Sequence, residues 1–128
     1  IFNNLTFTAP AATGLTQIAI SNNQTINGTL TCAGASAIRR VFIRSDTLGT
    51  TRTLTVNSLS ANDCDFRDIT IAGTAAGTSP TRAGDCGGNT GITFPVILRE
   101  YPTYTLIPMT NDSFIQWSGS FKAFESVL

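Results

Sequence analysis

Leu5-Thr6-Phe7 recurs as Leu30-Thr31-Cys32 and again as Leu54-Thr55-Val56, at spacings of 25 and 24 residues. A fourth version, Ile92-Thr93-Phe94, follows 38 residues later, and removing the polar stretch 74–88 restores a spacing near 23. A second series runs beside it: Ile18-Ala19-Ile20, Val41-Phe42-Ile43 and Ile69-Thr70-Ile71. Most of these triplets read apolar, small or hydroxylated, apolar. Side chains of a strand point alternately to its two faces, so Leu5/Phe7, Leu30/Cys32, Leu54/Val56 and Ile92/Phe94 are expected inward. Thr6, Thr31, Thr55 and Thr93 then form an exposed threonine ladder.

A unit of 23–25 residues with two or three short strands fits one turn of a parallel β-solenoid. Like residues of successive turns stack at roughly 4.8 Å, and about three turns are needed before a continuous core is buried. The fold expected is therefore all-β, a right-handed parallel β-solenoid of three to four short turns with a C-terminal capping segment. A β-sandwich or jelly roll is the alternative, since short strands with regular turn signals also suit that architecture. Composition agrees with strand in either case. Of 21 threonines in 128 residues, 18 precede Pro95, a bias that favours extended backbone over helix.

A boundary follows Pro95. Residues 1–95 contain no Lys, Glu, Tyr, Trp or Met, and all five types appear in the remaining 33 residues. The division expected is 1–95 as solenoid repeats with an inserted loop at 74–88, and 96–128 as a C-terminal strand and amphipathic cap. In the latter, Val96-Ile97-Leu98 and Tyr104-Thr105-Leu106-Ile107 read as strands. Phe114, Trp117, Phe121, Phe124 and Leu128 recur at intervals of 3 and 4, one helical face. Ser118-Gly119-Ser120 interrupts that face, and a hairpin turning at Ser118-Gly119 competes with the helix.

Charge narrows the choice of partners. Eight basic and eight acidic residues balance, so the basic excess that nucleic acid requires is missing. No apolar run reaches the ~18–20 residues of a transmembrane helix, so membrane insertion is not expected. Histidine, the commonest general base and metal ligand, does not occur.

The cysteines are Cys32, Cys64 and Cys86. Cys32 takes an inward place in the repeat and reads as a small buried hydrophobe. Cys64 and Cys86 flank the polar stretch 74–88 and are the disulfide candidates, two free thiols being the alternative. Without a C-x-x-C pair or a histidine, neither zinc binding nor a cysteine nucleophile is expected. Asp63, Asp65 and Asp85, with Asp68, are calcium candidates, although Asp and Asn also populate turns because their side chains bond the local backbone. No other cofactor is expected. Arg39, Arg40 and Arg44 form the one basic cluster and read as a solvated strand edge. Asn4, Asn23, Asn27 and Asn111 lie in glycosylation sequons.

Leu54-Thr55-Val56-Asn57-Ser58-Leu59 followed by Asp65-Phe66-Arg67-Asp68-Ile69-Thr70-Ile71 resembles right-handed parallel β-helix proteins, the pectin-lyase-like group that includes pectate lyases and phage tailspikes. Asn62-Asp63-Cys64-Asp65-Phe66-Arg67-Asp68 and Gly84-Asp85-Cys86-Gly87-Gly88-Asn89 are similar to segments of long, uncharacterised phage-like surface proteins. The likeness covers roughly residues 50–95. It implies a structural or surface role, extracellular or virion-associated, and the chain then reads as the end of a longer solenoid. In pectate lyases carboxylates hold calcium and an arginine is the base, a pattern that Arg67 matches superficially.

The function expected is a non-enzymatic structural or surface module that associates with itself or with a surface glycan. Two alternatives accompany it: a glycan-binding or glycan-cleaving solenoid, and an ice-binding solenoid using the threonine ladder. The enzyme question leans to no.

Overall fold

The computed structural model describes residues 1–96, together with the backbone of Leu106–Pro108 and Ile115–Trp117. The chain divides into two compact units, Ile1–Val96 and Ile97–Leu128. The first is built from β1 (Leu5–Thr8), β2 (Gly14–Ile20), β3 (Gln24–Ala33), β4 (Arg39–Ser45), β5 (Arg52–Asn62), β6 (Cys64–Arg67), β7 (Ile69–Ala72) and β8 (Gly84–Asp85). There is no helix among the described residues.

Odd-numbered strands form one four-stranded sheet, in the order β1-β3-β5-β7, and even-numbered strands form another, β2-β4-β6-β8. The chain therefore alternates between the sheets and adds one strand to each in turn. Every pairing within these two sheets is parallel. A sandwich of hairpins would require antiparallel neighbours. The architecture is all-β with two parallel sheets.

The first repeat lies where the sequence places it. Leu5, Thr6 and Phe7 pair with Leu30, Thr31 and Cys32. The next step differs. Leu30 pairs with Leu59, whereas Leu54 pairs with Gln24 on one side and Ile71 on the other. Extra chain at the turn between β4 and β5 causes this, carrying β5 past the expected register. A triplet with both ends apolar satisfies the inward face in either alignment, so alternation alone cannot fix which one forms. The second series shifts similarly: Ile18 pairs with Ile43, Val41 pairs with Cys64, and Ile69–Ala72 belongs to the odd-numbered sheet. Ile92 makes an isolated bridge to Thr78 and does not stack on Leu54.

β5 bends at Asn57-Ser58, both exposed, between the buried Val56 and Leu59. β3 changes register at the matching place, between Ile26 and Thr29. The core between the sheets holds Ile26, Leu30, Cys32, Val41, Ile43, Leu54, Val56, Cys64, Phe66, Ile69 and Ile71, none more than 1% exposed. Asparagines brace the bends by reaching one strand across. Asn4 Oδ1 accepts the Thr29 N–H at 2.8 Å, Asn23 Oδ1 that of Thr53 at 2.9 Å, and Asn89 Oδ1 that of Ile69 at 3.0 Å. This local bonding is why asparagine concentrates at turns. Asn4 and Asn23 of the sequons thus have a structural task.

The stretch 74–88 is not wholly an excursion. Thr81 bridges to Asn62, and Gly84–Asp85 pairs with β6 at Asp65 and Phe66. In the second unit, β9 (Leu106–Pro108) pairs antiparallel with β10 (Ile115–Trp117). Strand therefore replaces part of the helix read from the spacing of Phe114 and Trp117. The remainder of the expected cap, and Ile97-Leu98, lie outside the described residues.

Candidate functional site

The densest polar cluster sits where β5 turns into β6. Asp63 makes that turn in the left-handed backbone region, at φ 47°, which Asp and Asn tolerate better than most residues. Its N–H donates to the Thr81 carbonyl at 3.0 Å, and its carbonyl accepts from Val41 at 3.3 Å. The carboxylate, 1% exposed, accepts from Arg82 Nε at 2.7 Å and Nη2 at 2.5 Å. Arg40 Nη1 adds a positive charge 3.8 Å away. The Arg82 hydrogen bonds hold the Asp63 carboxyl below the ordinary carboxylate range, against the opposing effect of burial.

Arg40 ties three successive strand layers together. It donates to both Asp65 oxygens at 2.7 Å, to the Cys64 carbonyl at 3.1 Å and to the Arg82 carbonyl at 2.9 Å. The solvated strand edge expected for Arg39, Arg40 and Arg44 is thus engaged with the layers beside it. Arg39 donates to the Pro10 carbonyl at 2.9 Å, and Arg44 approaches Gln17 Oε1 at 3.4 Å. A signal for the Arg40–Asp65 contact exists in the sequence: the two are 25 residues apart, the same interval as Leu5 and Leu30.

The calcium candidates are placed by these contacts. Asp63 and Asp65 face arginines, while Asp85 Oδ1 accepts from the Gly87 N–H at 2.9 Å and Asn89 Nδ2 at 2.7 Å. Asp68 accepts the Gly49 N–H at 2.9 Å. Among the described residues no group of three or more Cys, Asp or Glu side chains gathers to hold a metal ion. Arg67 lies over the Phe42 ring, 5.8 Å from its centroid, with its Nε 3.5 Å from Asp68.

Cys64 and Cys86 are not joined, and all three cysteines are free. Asp65 pairs with Gly84 and Phe66 with Asp85, which sets Cys86 level with Arg67. Three strand positions then separate Cys64 from Cys86, on the order of 10 Å, beyond the roughly 7 Å that a disulfide spans between Cα atoms. Cys64 also points into the core while Cys86 is exposed. Burial pushes the Cys64 thiol up to about 12, raises Cys32 further, and raises Cys86 as well.

The expected threonine ladder divides into short rows. Thr6 and Thr31 are neighbours, and the row continues into Ser60. Thr55 stands in another row, between Thr25 and Ala72. Thr93 lies against the 77–78 turn, its hydroxyl donating to the Gly77 carbonyl at 3.0 Å. A row that the triplets did not reveal runs Thr53, Thr70, Thr90, with the last two hydroxyls 2.7 Å apart.

One feature escaped sequence reading altogether. Phe2, Leu5, Phe7, Ala19, Ile20, Ser21 and Gln24 line a largely apolar groove of about 220 Å³ beside β1 and β2, the edge strands of the two sheets.

No protein family, no curated protein and no solved structure matches the chain.

Proposed function

We propose that Ile1–Val96 is a right-handed parallel β-solenoid serving as a non-enzymatic structural module of a secreted or virion-type surface protein. The observation that supports it most is the strand alternation: each pass of the chain adds one parallel strand to each sheet, and apolar rows such as Leu5–Leu30–Leu59 and Ile18–Ile43–Phe66 run through the layers. Stacked layers of this kind make a rigid rod whose length scales with the number of turns. The polar chemistry fits the same role. Arg40, Arg82, Asp63 and Asp65 spend their hydrogen bonds on joining layers.

The direct test is a screen of the full chain against a panel of acidic and neutral polysaccharides, with calcium present, reading both binding and chain shortening. The structural role predicts no shortening of any polysaccharide. A polymer cut by the protein, with the cutting lost in Arg67→Ala, would instead make it a glycan-cleaving solenoid.

A further inference from the structure

We infer that the β1/β2 end of the stack is a self-association surface, where a second copy of this chain docks by strand-edge pairing. This rests on the layered solenoid proposed above and names the partner of its open end. β1 and β2 each border only one strand, β3 and β4 respectively. The Ala9 N–H donates to Ala33 and the Gly14 N–H to Ile38, while the Ile20 carbonyl accepts from Asp46. Successive peptide groups of a strand point to opposite edges. The N–H and C=O of Thr6 and Thr8 in β1, and of Leu15, Gln17 and Ala19 in β2, therefore face the open side.

Open edges are ordinarily blunted by charge, proline or a bulge. None of these protects this one. The first charged side chain in the sequence is Arg39, so β1, β2 and the turns beside them carry none, and neither strand contains proline. The same end holds the groove lined by Leu5, Phe7, Ala19 and Ile20, with Phe2 41% and Leu15 46% exposed.

The occupant follows from what the chain itself offers. At the far end, the edge of β7 is already met by Thr90, which donates to Ile69 and accepts from Ile71, each at 3.0 Å. β8 is two residues long and includes the charged Asp85. A head-to-tail partner finds no free edge of matching length there. The complementary edge is the same end of a second copy. Across a two-fold axis each residue faces its own counterpart or a near neighbour, which makes like charges repel. An uncharged end removes that obstacle.

The test is sedimentation velocity over a concentration series on the full chain, combined with residue-resolved hydrogen exchange. The expected species has twice the 13.5 kDa chain mass, with the amides of Thr6, Thr8, Leu15, Gln17 and Ala19 protected. Ala19→Pro removes an N–H that β4 does not use, and Thr8→Lys sets a charge against its own copy. Each is expected to weaken the dimer about tenfold or more and to leave the Leu30, Val41 and Leu54 amides protected. Three outcomes overturn the inference: a monomer whose open-edge amides exchange freely, a monomer in which they are protected by the chain's own residues 97–128, or a dimer indifferent to both variants. Loss of protection at Leu30, Val41 and Leu54 in the unsubstituted chain would instead remove the stack itself, and the docking surface with it.

Discussion

The Asp63 carboxylate and the Arg82 guanidinium, 19 residues apart in sequence, meet through two hydrogen bonds, with the carboxylate buried and the guanidinium largely exposed. The pair joins the β5–β6 turn to the strand layer that follows it. Arg40 reaches the same turn from the layer before, so one buried carboxylate is held from both sides.

Asp63→Asn keeps the shape and the tolerance of left-handed backbone while removing the charge. Thermal unfolding is expected to shift to lower temperature than in the unsubstituted chain, and by more than Asp46→Asn, whose arginine pair is more exposed. The acid response has a defined sign. Because Arg82 depresses the Asp63 carboxyl in the folded state, the unfolded chain takes up the proton first as pH falls below its ordinary value of 3.8. Stability is therefore full above about pH 4 and declines as pH drops toward the folded value. Asp63→Asn is expected to lower the neutral plateau and reduce that decline, measured by urea unfolding across pH.

Leu30 is fully buried, with Leu5 and Leu59 as its neighbours on the two flanking strands. Leu30→Ala is expected to cost about 2–5 kcal/mol, the lost burial plus a cavity that the tight layers cannot close. Leu48, 75% exposed, is the control, and Leu48→Ala is expected to change stability by less than about 0.5 kcal/mol. Equal effects at the two positions would mean that Leu30 does not occupy the core.

Thiol chemistry distinguishes the three cysteines. Cys32 and Cys64 are buried with their thiols pushed up by desolvation, while Cys86 is exposed. A thiol reagent near neutral pH is expected to label Cys86 alone in the folded protein and all three residues in denaturant, under non-reducing conditions throughout. No labelling of Cys64 and Cys86 even in denaturant would reveal a disulfide between them.

The sequence carries the strand content and the first register plainly, because both rest on local alternation and on one undisturbed interval, Leu5 to Leu30. It loses the third layer for a physical reason. Leu54-Thr55-Val56 presents the same apolar-polar-apolar face to Gln24-Thr25-Ile26 as to Leu30-Thr31-Cys32, and turn length decides between them. Asn57-Ser58, two exposed residues between buried Val56 and Leu59, is the local mark of the bend that separates these alignments. Pairing of Asp63 with Arg82 was hidden differently: their 19-residue interval belongs to a shorter layer than the leucine repeat suggests. The groove at the open end has no sequence signature, since it is made by the absence of a neighbouring strand.

The central claim, parallel layers in the register Leu5–Leu30–Leu59, is tested most directly by inter-strand NOEs in a uniformly labelled sample of the full chain. The account predicts backbone contacts linking Thr6 to Thr31 and Thr31 to Ser60, together with Thr53 to Thr70, all with the alternation of parallel pairing. Contacts showing Leu5–Thr8 antiparallel to any neighbour, or Thr31 beside Thr55, would contradict it.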